Sequence, residues 1–296
     1  ISHKNMLEWT TSEEAEKQTR TDLKTYYDTM FVNVIFGIIT IYVSCFYFNL
    51  FTLILGLLWI ITPYIMCTIS KEKEKKTQIE RLNKQEKDYV IDIAKRTWQF
   101  FDEFLNEKNN FLIPDNYQED RKEKIVSRTS STNIGLSLLA VISAYDLKFI
   151  DIKRCIDLLN NILTNVQTLE KWNGHLYNWY NTKTKKTLIP RYISTVDSGN
   201  FVGYLFVVKT FLGNIKIENE ALEQKIDNLL LIINNMIENT DFSPLYDHEH
   251  QIFSIGFNIE DNRLTDSYYD LLASEARQAS LIAIAKKDVP VKHWKN

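Results

Sequence analysis

No charged residue stands between Asp28 and Lys71, and that gap constrains the fold more than any other feature. A membrane-crossing helix needs only about 20 apolar residues. A buried helix pair in a soluble protein rarely avoids every charge over twice that length. The run FVNVIFGIITIYVSCFYFNLFTLILGLLWIITPYIMCTIS therefore predicts two spans, 31–49 and 51–69, joined by a tight turn near Asn49. One span plus a re-entrant or interfacial piece is the alternative. The run is too long, and begins too far along the chain, for a signal peptide. Lys17, Arg20 and Lys24 precede it, and Lys71, Lys73, Lys75 and Lys76 follow it. Basic flanks at both ends put both on the cytoplasmic side, so the rest of the chain is expected to face the cytoplasm.

Beyond the apolar run the sequence reads as helical. Gly (8) and Pro (5) are scarce, which disfavours a turn-rich all-β fold. The expected organisation is an amphipathic linker over 1–30, a transmembrane hairpin over 31–69, a charged helical stalk over 70–88 and a folded domain over 89–296. One helix is expected from Lys71 to Glu107, charged all round at first and amphipathic from YVIDIAKRTWQFFDEFL onward. A loop, NNFLIPDNYQEDRKEKIVSRTSST, comes next. Further helices are expected over NIGLSLLAVISAYD, capped by Ser131 or Thr132, and IDIKRCIDLLNNILTNVQTLEK. Two more cover GNFVGYLFVVKTFLG, capped by Asp197 or Ser198, and ALEQKIDNLLLIINNMIEN, and a last one runs from Ser267 to Lys286. The segment QIFSIGFNIEDNRLT alternates like a short strand pair. The fold class is thus all-α: a two-span membrane hairpin, then six helices in three hairpins forming part of an (α/α)6 toroid, with a short β-hairpin insert. Half of such a ring would leave its inner helix faces uncovered.

A formal net charge of −3 leaves no electrostatic footprint for nucleic acid. Cys45, Cys67 and Cys155 fit no metal-ligand spacing and read as free thiols in a reducing compartment. The unusual residues concentrate in four connecting stretches: IPDNYQED (113–120), SRTSSTNIG (127–135), KWNGHLYNWYNT (171–182) and STVDSGN (194–200). Their Asp, Asn, Arg, His, Trp and Tyr side chains suit a sugar cleft, where rings stack on pyranose faces and polar tips bond hydroxyls. Glycosidic chemistry needs a carboxylate pair. Asp115, Glu119, Asp120, Asp197 and Glu275 are the candidates, although Asp115 also suits an Asx-turn, Asp197 a helix cap and Glu275 an ion pair with Arg277. His248-Glu249-His250 lacks further ligands for a metal.

The segments TWQFFDEF, PDNYQED, RTSSTNIGLSLLA, GHLYNWYNT, PRYISTVDSGNFVG, FSIGFNIEDNRL and SYYDLLASEARQASLIAIAKKDVPVKHW resemble the glucoamylase-like middle domain of the cyclic β-1,2-glucan synthases. The opening WTTSEEAEKQTRTDL and the apolar run ending in LLWIITPYI look like the linker before that domain. The resemblance implies a bacterial inner-membrane enzyme of several modules. A glycosyltransferase module builds β-1,2-glucan from UDP-glucose, the middle domain closes it into a ring by transglycosylation, and a phosphorylase module trims chain length. Related toroids hydrolyse β-1,2-glucan. The family pattern runs on past the segment Val289–Trp294 into a second half of the toroid, which implies that this chain carries binding loops without a complete catalytic pair. The implied partners are a β-glucan oligosaccharide or polysaccharide, a membrane and a second chain supplying the rest of the toroid. No cofactor and no metal are implied. Asp197 and Glu275 are the candidate catalytic carboxylates. Asp115, Asn116, Arg128, Asn133, His175, Asn178, Trp179, Asn200 and Arg277 are the candidate substrate-binding groups.

Overall fold

The computed structural model of the protein describes residues 22–70, 82–216, 219–269 and 275–295. The chain divides into two compact units, with the boundary between Lys87 and Asp88.

Among the described residues the first unit holds a short polar helix, α1 (Leu23–Thr29), and two apolar ones, α2 (Phe31–Tyr47) and α3 (Leu50–Ser70). Between α2 and α3 the chain reverses through Phe48, whose φ of 48° is left-handed. Asn49 then caps α3, its Oδ1 accepting from the N–H groups of Phe51 (2.9 Å) and Thr52 (3.3 Å). The expected turn therefore lies where Asn49 predicts it. The two helices meet through small residues at heptad spacing, Gly37 and Ser44 on α2 against Gly56 and Pro63 on α3, all buried. A Cβ on Gly37 would stand 2.8 Å from the Gly56 carbonyl oxygen, so the backbones touch. That contact type serves helices that gain nothing from burying further apolar surface. Most other apolar side chains of the pair point outward; Phe46 is 67% exposed and Phe51 74%. α3 is long and apolar enough to cross a membrane, and α1 with α2 matches it only as a pair bent by 71°.

The second unit contains most of α4 (Lys84–Phe104), then α5 (Ser131–Asp146), α6 (Ile152–Gln167), α7 (Thr195–Asn214), α8 (Glu220–Asn239) and α9 (Arg277–Lys286). α4 does not run in continuously from Lys71. It begins at a reciprocal cap, in which the Glu86 N–H donates to Asn83 Oδ1 (2.9 Å) and the Asn83 N–H to Glu86 Oε2 (2.8 Å). Residues 71–81 of the expected stalk lie outside the described residues.

Burial patterns sort the helices into two layers. α6 buries one stripe, Cys155, Leu159, Ile162 and Val166 among it, and α8 likewise buries Ile226, Leu229, Ile233 and Ile237. A single stripe means one covered face, hence an outer position. α5 and α7 bury residues on several faces, from Ile134 to Ala144 and from Val196 to Leu212, and are inner. The contacts agree: α5 packs on α7, α7 on α9, and the outer α6 on α8. Glycines set the inner spacing. A Cβ on Gly199 of α7 would lie 2.4 Å from that of Ala279 on α9, and one on Gly135 of α5 would lie 2.2 Å from the Tyr204 ring.

Short links, 147–151 and 215–219, join each inner helix to the outer helix after it; long connections, 105–130, 168–194 and 240–276, lead from each outer helix to the next inner one. The long connections therefore gather over the N-terminal ends of α5, α7 and α9. They fold as small antiparallel sheets: β1 (Arg128–Thr129) with β4 (Tyr180–Asn181), β2 (Lys171–Trp172) with β3 (His175–Leu176), β6 (Tyr246–Asp247) with β7 (Ile252–Phe253), and a three-stranded sheet of β5 (Tyr192–Ser194), β8 (Gly256–Asn258) and β9 (Arg263–Leu264). This β layer is larger than the single hairpin expected. The last helix begins at Arg277 rather than Ser267, because Ser267 and Tyr269 bond to Ile255, between β7 and β8, and to Phe253 of β7 instead of coiling.

Candidate functional site

Two polar clusters sit where the long connections meet the inner helix ends. Asp115 is the hub of the first. Its Oδ2 accepts from Arg128 Nε (3.2 Å), Arg128 Nη2 (3.1 Å) and Asn116 Nδ2 (2.9 Å), while Oδ1 accepts from Asn133 Nδ2 (3.0 Å). The Asp115 N–H donates to the Arg128 carbonyl at 2.7 Å. Pairing of β1 with β4 sets Arg128 opposite Asn181, next to Trp179, and the guanidinium lies 4.1 Å over the Trp179 ring. The carboxylate thus ties the 105–130 loop to α5 and organises a cation–aromatic pair, which a simple Asx-turn would not do.

Asp197 anchors the second cluster. The helix cap is Ser194, whose Oγ accepts from the Asp197 N–H at 3.2 Å, so α7 starts at Thr195, earlier than expected. Capping is taken over by Ser194, which leaves the Asp197 carboxylate free in the first turn, and its Oδ1 accepts from Thr132 Oγ1 at 2.6 Å. Asn200 Nδ2 donates to the same Thr132 oxygen at 3.3 Å. Likewise Ser130, not Ser131 or Thr132, caps α5, its Oγ accepting from the Asn133 N–H at 3.1 Å. Tyr204 shares the Asp197 face of α7; burial first, and the Asp197 charge second, push its phenol pKa up. The Tyr269 phenol is pushed up too, by burial first and then by Tyr192, Asp197 and Glu275.

The other candidates scatter. Glu275 is exposed, just beyond residues 270–274, which are outside the described set. Arg277 opens α9, with its guanidinium 5.2 Å from the Trp294 ring. Asn178 is half-buried, and its main-chain N–H donates to the Tyr192 carbonyl at 2.7 Å. His175 does not line the site. It is 1% exposed, its Nε2 bonds the Asp241 carbonyl at 2.6 Å, and burial lowers its pKa to about 4. Its neighbours Tyr177 and Tyr180 are buried too, and Trp172 stacks on Phe257 at 4.4 Å, so most of that aromatic cluster is packing. Sequence reading missed Thr132, Tyr204 and Gln278, whose amide abuts Gly203. Their signal was faint: polar residues on helices, alike in sequence to any solvated face. Among the described residues no group of three or more His, Cys, Asp and Glu is placed to hold a metal.

The chain is 25% identical, over a 415-residue alignment covering 99% of its own length, to the cyclic β-(1,2)-glucan synthase NdvB of Rhizobium meliloti (strain 1021). It resembles the cyclic β-1,2-glucan synthase family. The match spans 15% of that relative's length. No protein-family profile matches. The fold is glucoamylase-like. An endo-β-1,2-glucanase from Chitinophaga pinensis, solved with sophorotriose and glucose, superposes with a TM-score of 0.56 at 15% identity, over 67% of this chain and 47% of that one. A β-1,2-glucanase from Parabacteroides distasonis gives 0.57 at 13% identity, over 70% and 29%. A structure with a glucoamylase name, from Bacteroides uniformis ATCC 8492, gives 0.57 at 13%, over 72% and 49%. The chain spans about half the length of the first of these structures or less.

Proposed function

We propose that the second unit acts on β-1,2-glucan, in a parent architecture that closes the glucan into a ring by transglycosylation. One observation carries the reading: Asp197, half-buried and hydrogen-bonded across two inner helix ends, stands at the same end of the helices as the Asp115–Arg128–Trp179 assembly. A carboxylate can accept a proton or attack an anomeric carbon, and Glu275, at the end of the 240–276 connection, would be the partner acid, giving this chain the pair that the family resemblance left incomplete. Transglycosylation breaks one C1–O2 glycosidic bond and forms another, so protons balance between the departing and incoming hydroxyls. Asn116, Arg128, Asn133, Asn178, Trp179, Asn200 and Arg277 would bond and stack the glucosyl units. The similarity to NdvB and the superposition on glucanase folds support the substrate class. The apolar exposure of α2 and α3 supports an anchor in the bacterial inner membrane, and the basic residues on both flanks of the run support a cytoplasmic second unit.

The test is incubation of the full chain with linear β-1,2-glucan, followed by mass spectrometry. Rings, lighter by one water than linear chains of equal length, or shortened products, are expected from wild type and not from Asp197→Asn or Glu275→Gln. Absence of both products and of calorimetric binding would sink the reading. Resistance to alkaline carbonate extraction tests the anchor, and protease access in inverted vesicles tests the orientation.

A second reading, a non-catalytic binding or assembly subunit, is favoured by the apolar groove of about 620 Å³ between the C-terminal halves of α5 and α7, where Phe206 and Val207 are exposed. Binding of glucan without turnover, by a chain that sediments as a larger assembly, would select it.

A further inference from the structure

We propose that Thr132 is a positioning residue that fixes which oxygen of Asp197 faces the substrate; the proposal rests on the catalytic role for Asp197 proposed above. The helical threonines Thr29, Thr40, Thr62, Thr68, Thr97 and Thr210 each donate to the carbonyl four residues earlier, the usual local outlet for a threonine hydroxyl in a helix. Thr132 does otherwise. In the first turn of α5 the residue four positions back lies outside the helix, and the hydroxyl reaches across to α7.

The direction of the bonds there is fixed by chemistry. An amide nitrogen only donates, so Thr132 Oγ1 accepts from Asn200 Nδ2 at 3.3 Å and gives its single proton to Asp197 Oδ1 at 2.6 Å. Oδ1 is thereby occupied. Oδ2 has no hydrogen-bond partner among the described residues, and it is the oxygen left to take a proton or attack carbon. The relay spans residues 132 to 197 and joins two helices, so it also locks the carboxylate's rotation about its own χ angles. Thr132, Asp197 and Asn200 are all half-buried, within reach of a ligand. The titratable groups that feel the Asp197 charge are Tyr204, on its own helix, and Tyr269, from the connection before α9. The first turn of α5 brings no acidic residue, and Arg128 is engaged by Asp115.

The experiment compares full-length wild type, Thr132→Val, Thr132→Ser and Asp197→Asn. On linear β-1,2-glucan, Thr132→Val is expected to lower kcat by about ten- to a hundred-fold, the worth of a hydrogen bond to a charged group. KM should stay within about three-fold, because the carboxylate is released from its orientation while glucan binding is left intact. Thr132→Ser, which keeps the hydroxyl, restores kcat. A readout free of turnover is the ¹³C chemical shift of the Asp197 carboxyl at one fixed neutral pH, which should move in Thr132→Val and return in Thr132→Ser. Thr132→Ala replaces the valine variant if that one fails to fold. An unmoved chemical shift, or a serine variant that behaves like valine, overturns the role of Thr132. Full activity in Asp197→Asn overturns the catalytic reading instead, and an inactive wild type leaves the carboxyl chemical shift to decide the positioning claim.

Discussion

Gly199 offers a sharp test of how the inner helices set the site. It lies in the first turns of α7, and a Cβ there would stand 2.4 Å from Ala279 Cβ, 2.6 Å from its Cα and 2.8 Å from its nitrogen. Ordinary carbon contacts lie at about 3.5–4.0 Å, so Gly199→Ala must push α7 and α9 apart by about 1 Å. Two of the three atoms belong to a helix backbone and cannot rotate away. Overpacking of this kind costs about 1–3 kcal/mol. Alanine regains about 1 kcal/mol of helix propensity, leaving a net loss of up to about 2 kcal/mol and a Tm lower by up to roughly 8 °C. Gly213, in the last turn of the same helix, has no heavy atom within 4 Å of its virtual Cβ. The same substitution there should be neutral or stabilising by up to about 1 kcal/mol. Thermal melting of the two full-length variants in detergent, followed by circular dichroism, measures both. A Gly199→Ala chain that melts at or above wild type, or two variants that shift together, would refute the argument.

Further expectations follow from other parts of the molecule. His175 is held neutral, with its pKa lowered from 6.5 to about 4 by burial. Between those values the unfolded chain takes a proton that the native state refuses, so its contribution is complete above about pH 6.5. It falls by up to roughly 3 kcal/mol as the pH drops to about 4; denaturant unfolding of a His175→Phe variant should show a shallower acid loss than wild type, and an equal slope would count against it. Arg128→Ala uncovers the Trp179 ring now 4.1 Å from the guanidinium, so tryptophan emission should change in that variant and not when Trp179→Phe is already present. Gly37→Val forces the α2 and α3 backbones apart at an approach where Cβ would meet the Gly56 carbonyl at 2.8 Å. At about 1–3 kcal/mol, protease cleavage near residues 48–49 should accelerate at least about five-fold, and unchanged cleavage would mean the contact is slack.

What was legible in the sequence was whatever repeats locally. The stripes of α6 and α8, the uncharged run and the Asn49 turn are all patterns within one helix or one turn, and the structure places them within a few residues of expectation. The β layer was mostly hidden because its strands are two or three residues long, too short for alternation to register, and their partners are remote: β5 pairs with β8 across residues 192–258. Helix starts at Thr195 and Arg277 were misplaced for the same reason, since Ser194 and Ser267–Tyr269 are held by distant strands. Of the candidate site residues, Asp115, Arg128 and Trp179 come together, and their chemistry stands out in loops. His175 shows the limit of that signal: the same aromatic, polar composition also makes a packed loop core. Thr132 reads in the sequence only as a helix cap, because its hydroxyl bond spans 65 positions.

The unequal connections also set an order of assembly. The pairs α5–α6 and α7–α8 are closed by the short links 147–151 and 215–219, so each helical hairpin loses little chain entropy in forming and can arise early. The contact of α5 with α7 requires the whole 168–194 stretch to settle first. The Thr132–Asp197 bond lies on that late seam, so it is among the last contacts to be acquired, and is the first to be lost when the hairpins slip.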